Sequence, residues 1–252
     1  MIGRTAASLI FLALCASSAV AHEPYVTDDP DPVDFHHTEI FVATQNVWSR
    51  RDFSGVLPYF ELNYGPIPEV ELHLQLPMNY DQTRPDGAFL YGYGDTELGV
   101  KWRFLDEDKL FPGSPEVALS PLFEIPTGSV ARGLGNGQAQ YFLPLFAGES
   151  WGPDNRQWNL YGGGGYWINL GGRNKDYPLV GAVLQRQVTD QLTLGGELYY
   201  ASSSQDGQAS HTGFNLGAIY DFTEHFSLLV SAGRDLHGDN RLTTFCGVEW
   251  TF

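Results

Sequence analysis

The last eleven residues, LTTFCGVEWTF, alternate in character. Counting back by twos from the end gives Phe252, Trp250, Val248, Cys246, Thr244 and Leu242, all apolar or tolerant of lipid. Thr251, Glu249, Gly247 and Thr243 lie between them. Successive side chains of a strand point to opposite faces, so one face here is greasy and the other mostly polar. In a soluble sandwich the greasy face would meet a second sheet. In a closed barrel it faces hydrocarbon instead.

The alternation recurs along the chain. Strands are expected over His37–Trp48, Ser54–Tyr64, Val70–Tyr80, Tyr93–Phe104, Val117–Ile125 and Ala139–Ala147. The same holds for Trp158–Leu170, Leu179–Val188, Leu192–Tyr200, Thr212–Phe222, Phe226–Arg234 and Leu242–Phe252. The cleanest is the third, where Val70, Leu72, Leu74, Leu76, Met78 and Tyr80 alternate with Glu71, His73, Gln75, Pro77 and Asn79. In the second, Val56, Pro58, Phe60, Leu62 and Tyr64 are expected on the outer face and Leu57, Tyr59, Glu61 and Asn63 on the other, with Gly65-Pro66-Ile67-Pro68 as the turn. Twelve strands result, and an even number returns the chain to its starting side; ten is the alternative, since the first two strands are the least regular. No stretch beyond the N-terminus approaches 18 consecutive apolar residues, which excludes spanning helices. The negative mean hydropathy is no obstacle, because apolar-out, polar-in strands average to neutral. The fold class expected is all-β: a closed antiparallel transmembrane β-barrel.

Aromatics, 14 % of the chain, gather near strand ends on the outward parity. Tyr64, Phe104, Trp158, Phe222, Phe226, Trp250 and Phe252 fall at one rim, Tyr80 and Tyr200 at the other. That is the arrangement of interfacial girdles.

Three parts are expected. Residues 1–21 read as a signal peptide: Arg4 gives the positive start, Leu9 to Leu14 the apolar centre and Ala19-Val20-Ala21 the cleavage site. A lipoprotein signal at Cys15 is disfavoured by the bulk of Leu14. Residues 22–36 are acidic and Pro-rich (HEPYVTDDPDPVDF precedes His36) and read as a mobile or plugging segment. Residues 37–252 form the barrel. Only Cys246 would remain after cleavage, so an intrachain disulfide is ruled out. The net charge of −16 becomes one unit more negative once Arg4 is gone.

The inward-facing charges are the candidate functional residues. Parity assigns Glu61, Glu71, Asp95, Glu97, Glu124, Glu197, Asp221 and Glu249 to the lumen, against Lys101 and Arg103, with His73 beside them. Glu97 and Lys101 share a face, and a satisfied lumen network is the competing reading. A narrow wall carrying excess carboxylates focuses a negative potential that disfavours anions. His73 and Glu71 are too few to hold a metal, so no metal and no cofactor is expected. A barrel hydrolase needs a base within reach of a hydroxyl; His211-Thr212-Gly213 and His73-Leu74-Gln75 carry no Ser at that spacing. The Gly-rich run Thr127–Gln138 lacks a phosphate-loop context and reads as a loop. No nucleic-acid partner is expected.

A terminal Phe with an aromatic two residues before it resembles the closing strand of bacterial outer-membrane barrels. That resemblance implies an assembly signal in Phe252, Trp250 and Val248 read by the barrel assembly machinery, with outer-membrane lipid, lipopolysaccharide and a small-molecule solute as further partners. More of the chain resembles one family. TDDP (Thr27–Pro30), GYGDTELGVKWRF (Gly92–Phe104), EIPTGS (Glu124–Ser129) and the closing strand are similar to outer-membrane channels assigned to the MetA pathway of phenol degradation. The resemblance implies a porin-like transporter in a Gram-negative outer membrane that passes small aromatic, apolar or neutral compounds, with no catalytic residues. A structural, adhesion or assembly barrel without transport is the alternative, and an outer-membrane lipid hydrolase the less favoured one.

Overall fold

The computed structural model describes residues 24–50, 52–82, 88–153, 155–171, 174–204 and 209–252. The expected signal peptide, residues 1–21, lies outside the described residues.

Fourteen strand segments make up a single sheet. They are β1 (Thr38–Trp48), β2 (Phe53–Ile67), β3 (Val70–Asp81), β4 (Leu90–Tyr93), β5 (Thr96–Leu105), β6 (Glu116–Leu119), β7 (Leu122–Ile125) and β8 (Gln140–Trp151). They continue as β9 (Trp158–Asn169), β10 (Tyr177–Gln187), β11 (Leu192–Ala201), β12 (His211–Thr223), β13 (Phe226–His237) and β14 (Leu242–Thr251). Both β4 and β5 pair with β3, and both β6 and β7 lie between β5 and β8. Each couple is one barrel strand interrupted, at Gly94-Asp95 and at Ser120-Pro121, so the barrel has twelve antiparallel strands. A proline has no N–H for the ladder, which accounts for the second break.

The barrel closes where the sequence ends. β14 pairs with β1 from Glu39↔Thr251 to Trp48↔Leu242. The Phe252 N–H donates to the Thr38 carbonyl at 2.9 Å, and the Thr38 N–H returns a bond to the Phe252 carbonyl at 3.1 Å. No edge is left to template another strand, which is the condition for crossing a bilayer with strands. Long connections (126–139, 202–210) leave one end and two-residue turns (68–69, 224–225) the other; 106–115 is the exception among the short ones. Short turns mark the periplasmic end of such barrels.

The outside is greasy. Leu72, Leu98, Leu143, Leu145, Leu160, Leu194, Leu198 and Leu216 are all exposed on it. One rim carries Phe222, Phe226 and Trp250 in ring contact at 5.4 and 4.8 Å, and Trp151 stacked on Trp158 with Arg186 over the Trp158 ring. At the other rim Tyr80 lies between Phe53 and Phe89, which leaves it covered although it faces outward. Cys246 faces out, exposed and free.

Two expectations about β2 fail. Val56 is 3 % exposed and packs inside with Phe41, Ala43 and Tyr59, whereas Leu57 is 53 % exposed. The ladder to β3 slips between Val56 and Tyr59, and that to β1 between Ala43 and Gln45. An extra residue in one strand of a pair reverses the parity beyond it, so the outward set is right from Phe60 onward and inverted at Val56 and Leu57. The expected turn at Gly65–Pro68 is also too early, because β2 runs to Ile67 and only 68–69 turn.

Candidate functional site

The lumen is lined by period two: whatever alternates with the greasy residues points inward. One row crosses six neighbouring strands in register, from Glu61 to Gln75, Glu97, Glu124, Gln140 and Asn169. A second patch is aromatic, with Phe142 stacked on Trp167 at 4.9 Å and Trp167 on Tyr177 at 6.2 Å. Leu122, Phe146 and Leu179 complete that cluster.

Residues 24–33 run through the barrel, and Asp34 and Phe35 stand exposed at its periplasmic mouth. From mid-barrel, the Pro24 carbonyl accepts from Ser231 Oγ at 2.5 Å. Tyr25 packs on Tyr161 and Val183. Its hydroxyl stands where a Cβ on Gly195 or Gly217 would be, at 2.4 and 2.7 Å, so those two glycines make room for it. Glu197 then takes the Val26 N–H (3.0 Å), the Thr27 N–H (2.6 Å) and the Thr27 hydroxyl (2.7 Å), with Asn215 Nδ2 at 2.6 Å as a fourth donor. Lys101 Nζ reaches Asp28 Oδ1 at 2.9 Å, Asp29 Oδ1 at 3.4 Å and the Asp31 carbonyl at 3.1 Å. Arg103 binds Asp31, Glu69 (2.6 Å) and Glu116 (2.9 Å) at the periplasmic rim. Val33 N–H donates to Glu71 Oε2 at 2.9 Å. Phe35 bridges Gly65, and His36 N–H donates to the Gly65 carbonyl at 2.8 Å, so the segment leaves by the periplasmic mouth and turns into β1. The side chains of Glu71, Lys101, Arg103 and Glu197 contact the backbone and carboxylates of this stretch.

The inward charges therefore divide by task. Glu71, Glu197, Lys101 and Arg103 touch the N-terminal segment. The expected neighbourhood of Glu97 and Lys101 does not form a pair; they lie four positions apart along the strand, about 13 Å, and Lys101 turns to Asp28 and Asp29. Glu61 accepts from Tyr59 and from Asn63 Nδ2 (2.8 Å), and His73 Nδ1 lies 2.9 Å from Asn63 Oδ1 and 3.3 Å from Glu61 Oε1. Asp95 takes the Gly128 and Asn136 N–H groups at 2.7 and 2.5 Å, and Glu124 takes Asn136 Nδ2 at 2.6 Å. These three bonds fold the 126–139 connection into the outer mouth, where Leu134 becomes 1 % exposed. Asp221 and Glu249 stand at the periplasmic ends of their strands, half-buried, with Ser227 Oγ on Asp221 and Thr251 Oγ1 on Glu249.

Beneath the folded-in connection, at the outer end of the lumen, lies a cavity whose wall includes Gly133, Gly135 and Asn136. Its wall carries Asp81, Asp95, Glu97 and Glu124 beside Gln75, Asn79 and Asn136. No Lys, Arg or His lines it among the described residues. Asp81 was missed from sequence because it closes its strand, where parity gives no face. Asn136 was missed because a loop's inward fold leaves no periodicity to read.

The family described as "Putative MetA-pathway of phenol degradation" matches residues 21–247. The chain belongs to this family. No curated protein matches the sequence. Among solved structures, the COG4313 outer membrane channel from Pseudomonas putida F1 is similar with a TM-score of 0.71 at 15 % identity, covering 89 % of this chain and 98 % of that one. The KdgM porin aligns with a TM-score of 0.59 at 10 % identity over 85 % and 99 % of the two chains. The NanC porin aligns at 0.54 and 8 % over 84 % and 98 %. At such identities the likeness is one of fold: this member of the phenol-degradation family has the architecture of outer-membrane channels and porins. Its greasy belt and edgeless sheet are consistent with a place in the bacterial outer membrane.

Proposed function

We propose that the chain is an outer-membrane channel for small neutral or cationic solutes, shut in this state by residues 24–35, and that it is not an enzyme. One observation carries the reading: the lumen holds an acidic cavity at its outer end and, toward the periplasmic end, a segment held by hydrogen bonds and ion pairs, not by strand pairing along its length. Such contacts exchange for water without unfolding the barrel. The aromatic patch of Phe142, Phe146 and Trp167 lies along the same lumen and suits apolar solutes. Taken with the family description, neutral phenol-like compounds pass and their ionised acids, such as benzoates, pass poorly, because carboxylates dominate the wall. Against hydrolysis, His211 is bonded to Asp235 and His73 sits against Asn63 and Glu61, neither with a serine hydroxyl among the described residues. The occupied lumen favours a second reading, a structural barrel without transport.

Reversal potential across a salt gradient in a planar bilayer tests the channel. The wild type should prefer cations. Replacing Glu71, Glu97 and Glu124 together by Gln should reduce that preference, more clearly at low salt where screening is weaker. An anion-selective wild type overturns the assignment of the filter; no conductance under any condition leaves the structural reading standing.

A further inference from the structure

Glu97 is the odd member of the lumen row. Its neighbours are engaged: Glu61 with Tyr59 and Asn63, Asp95 with two backbone N–H groups, Glu124 with Asn136. Glu97 is 4 % exposed, and its Oε2 has no hydrogen-bond partner among the described residues. Beside it in register stand Gln75 on one side, whose Oε1 is likewise buried and without a partner among the described residues, and the carboxylate of Glu124 on the other. All three line the cavity. Two adjacent carboxylates in a low-dielectric wall repel unless something positive lies between them. The inward cations do not serve, since Lys101 and Arg103 are occupied by the N-terminal segment toward the periplasmic end.

The unmet atoms are all acceptors, so the missing partner is a donor carrying positive charge. No three His, Cys, Asp or Glu side chains converge as metal ligands among the described residues. A hard divalent ion wants six or more oxygens around it, whereas an ammonium asks for three directed acceptors. The cavity is also two-sided: Val47, Val56 and Pro77 line it together with the acids. That wall accepts a short carbon chain. We infer that the cavity is a binding site for a small primary alkylammonium ion, its NH₃⁺ on Glu97, Glu124 and the Gln75 amide oxygen and its carbon chain on Val47, Val56 and Pro77.

This rests on the channel reading for its purpose but is measured without transport. The full mature protein in detergent micelles, at low salt, is titrated with ethylammonium chloride in a calorimeter. Saturable binding is expected, with ethanol inert and tetraethylammonium at least tenfold weaker for want of N–H donors. Glu97→Gln, nearly identical in shape, should weaken ethylammonium at least tenfold while the folded band on an unboiled gel is kept. Glu124→Gln should do the same, which guards against misfolding of one variant. Absence of saturable binding, as a proton shared between the two carboxylates would give, overturns the site. So does equal binding of sodium or calcium, which would make it a general cation cluster. Ethylammonium binding without conductance would overturn the channel and spare the site; conductance without binding would do the reverse.

Discussion

Replacing Lys101 by Met should loosen the N-terminal segment and open the lumen. The ammonium is 3 % exposed and holds Asp28 at 2.9 Å, Asp29 at 3.4 Å and the Asp31 carbonyl at 3.1 Å. Met keeps most of the stem's volume and removes the charge, so two carboxylates lose this cation inside the barrel while Ser120 Oγ and backbone N–H groups still donate to them. Breaking a buried ion pair from one side costs about 3–5 kcal/mol. Asp28 and Asp29 are 14 % and 18 % exposed, so water takes up part of that loss and the lower end applies. At 1.4 kcal/mol per factor of ten, about 3 kcal/mol lowers the ratio of docked to undocked segment roughly a hundredfold. Glu197, Glu71 and Arg103 still hold the segment elsewhere, so openings should be frequent and brief. Single-channel recording should show more open time than the wild type, and limited proteolysis of the folded protein should cut within residues 24–35. Adding Asp28→Asn and Asp29→Asn should recover part of the closed state, because the two negative charges that Lys101 neutralised are gone. Unchanged conductance and cleavage in Lys101→Met would refute the latch. A triple variant as open as the single one would show that charge is not the reason.

Two further outcomes concern assembly and lipid. Deleting Phe252, or replacing it with Asp, should lower the folded, heat-modifiable band in the outer-membrane fraction while synthesis and export continue; equal amounts of folded protein would show that the terminal aromatic is not read. Arg234 is exposed on the outer face of β13, near the end of its strand, where an outward Arg costs only about 0–1 kcal/mol and its stem can reach the headgroups. Arg234→Ala should therefore fold to wild-type levels in a urea titration, with at most weaker binding of lipopolysaccharide.

The outer face was legible because lipid imposes a single demand on every second residue. Val70–Tyr80 and Leu242–Phe252 show it without interruption, and the observed strands follow. Parity failed at Val56 and Leu57 because a bulge is a property of two strands, and neither strand's sequence alone records it. The lumen was legible as a set of residues but not as a set of partners. Glu97 and Lys101 share a face, yet the acids that hold Lys101 come from a stretch with no period at all. The acids and prolines of that stretch admitted two readings, a tail and a plug. Gly195 and Gly217 held the missing clue, since an inward glycine in a barrel wall leaves a space that something fills.

The N-terminal segment joins β1 through only His36 and His37, at the mouth where the short turns lie, whereas the acidic cavity faces the opposite mouth and is shaped by the 126–139 connection. The acidic cavity and the root of the segment thus face separate compartments. On the channel reading proposed above, a solute would be sorted on the exterior side and the N-terminal segment released from the interior side. On that reading the two would vary independently: the exterior connection could change what is admitted without disturbing the segment, and the segment could be held more tightly without altering what is admitted.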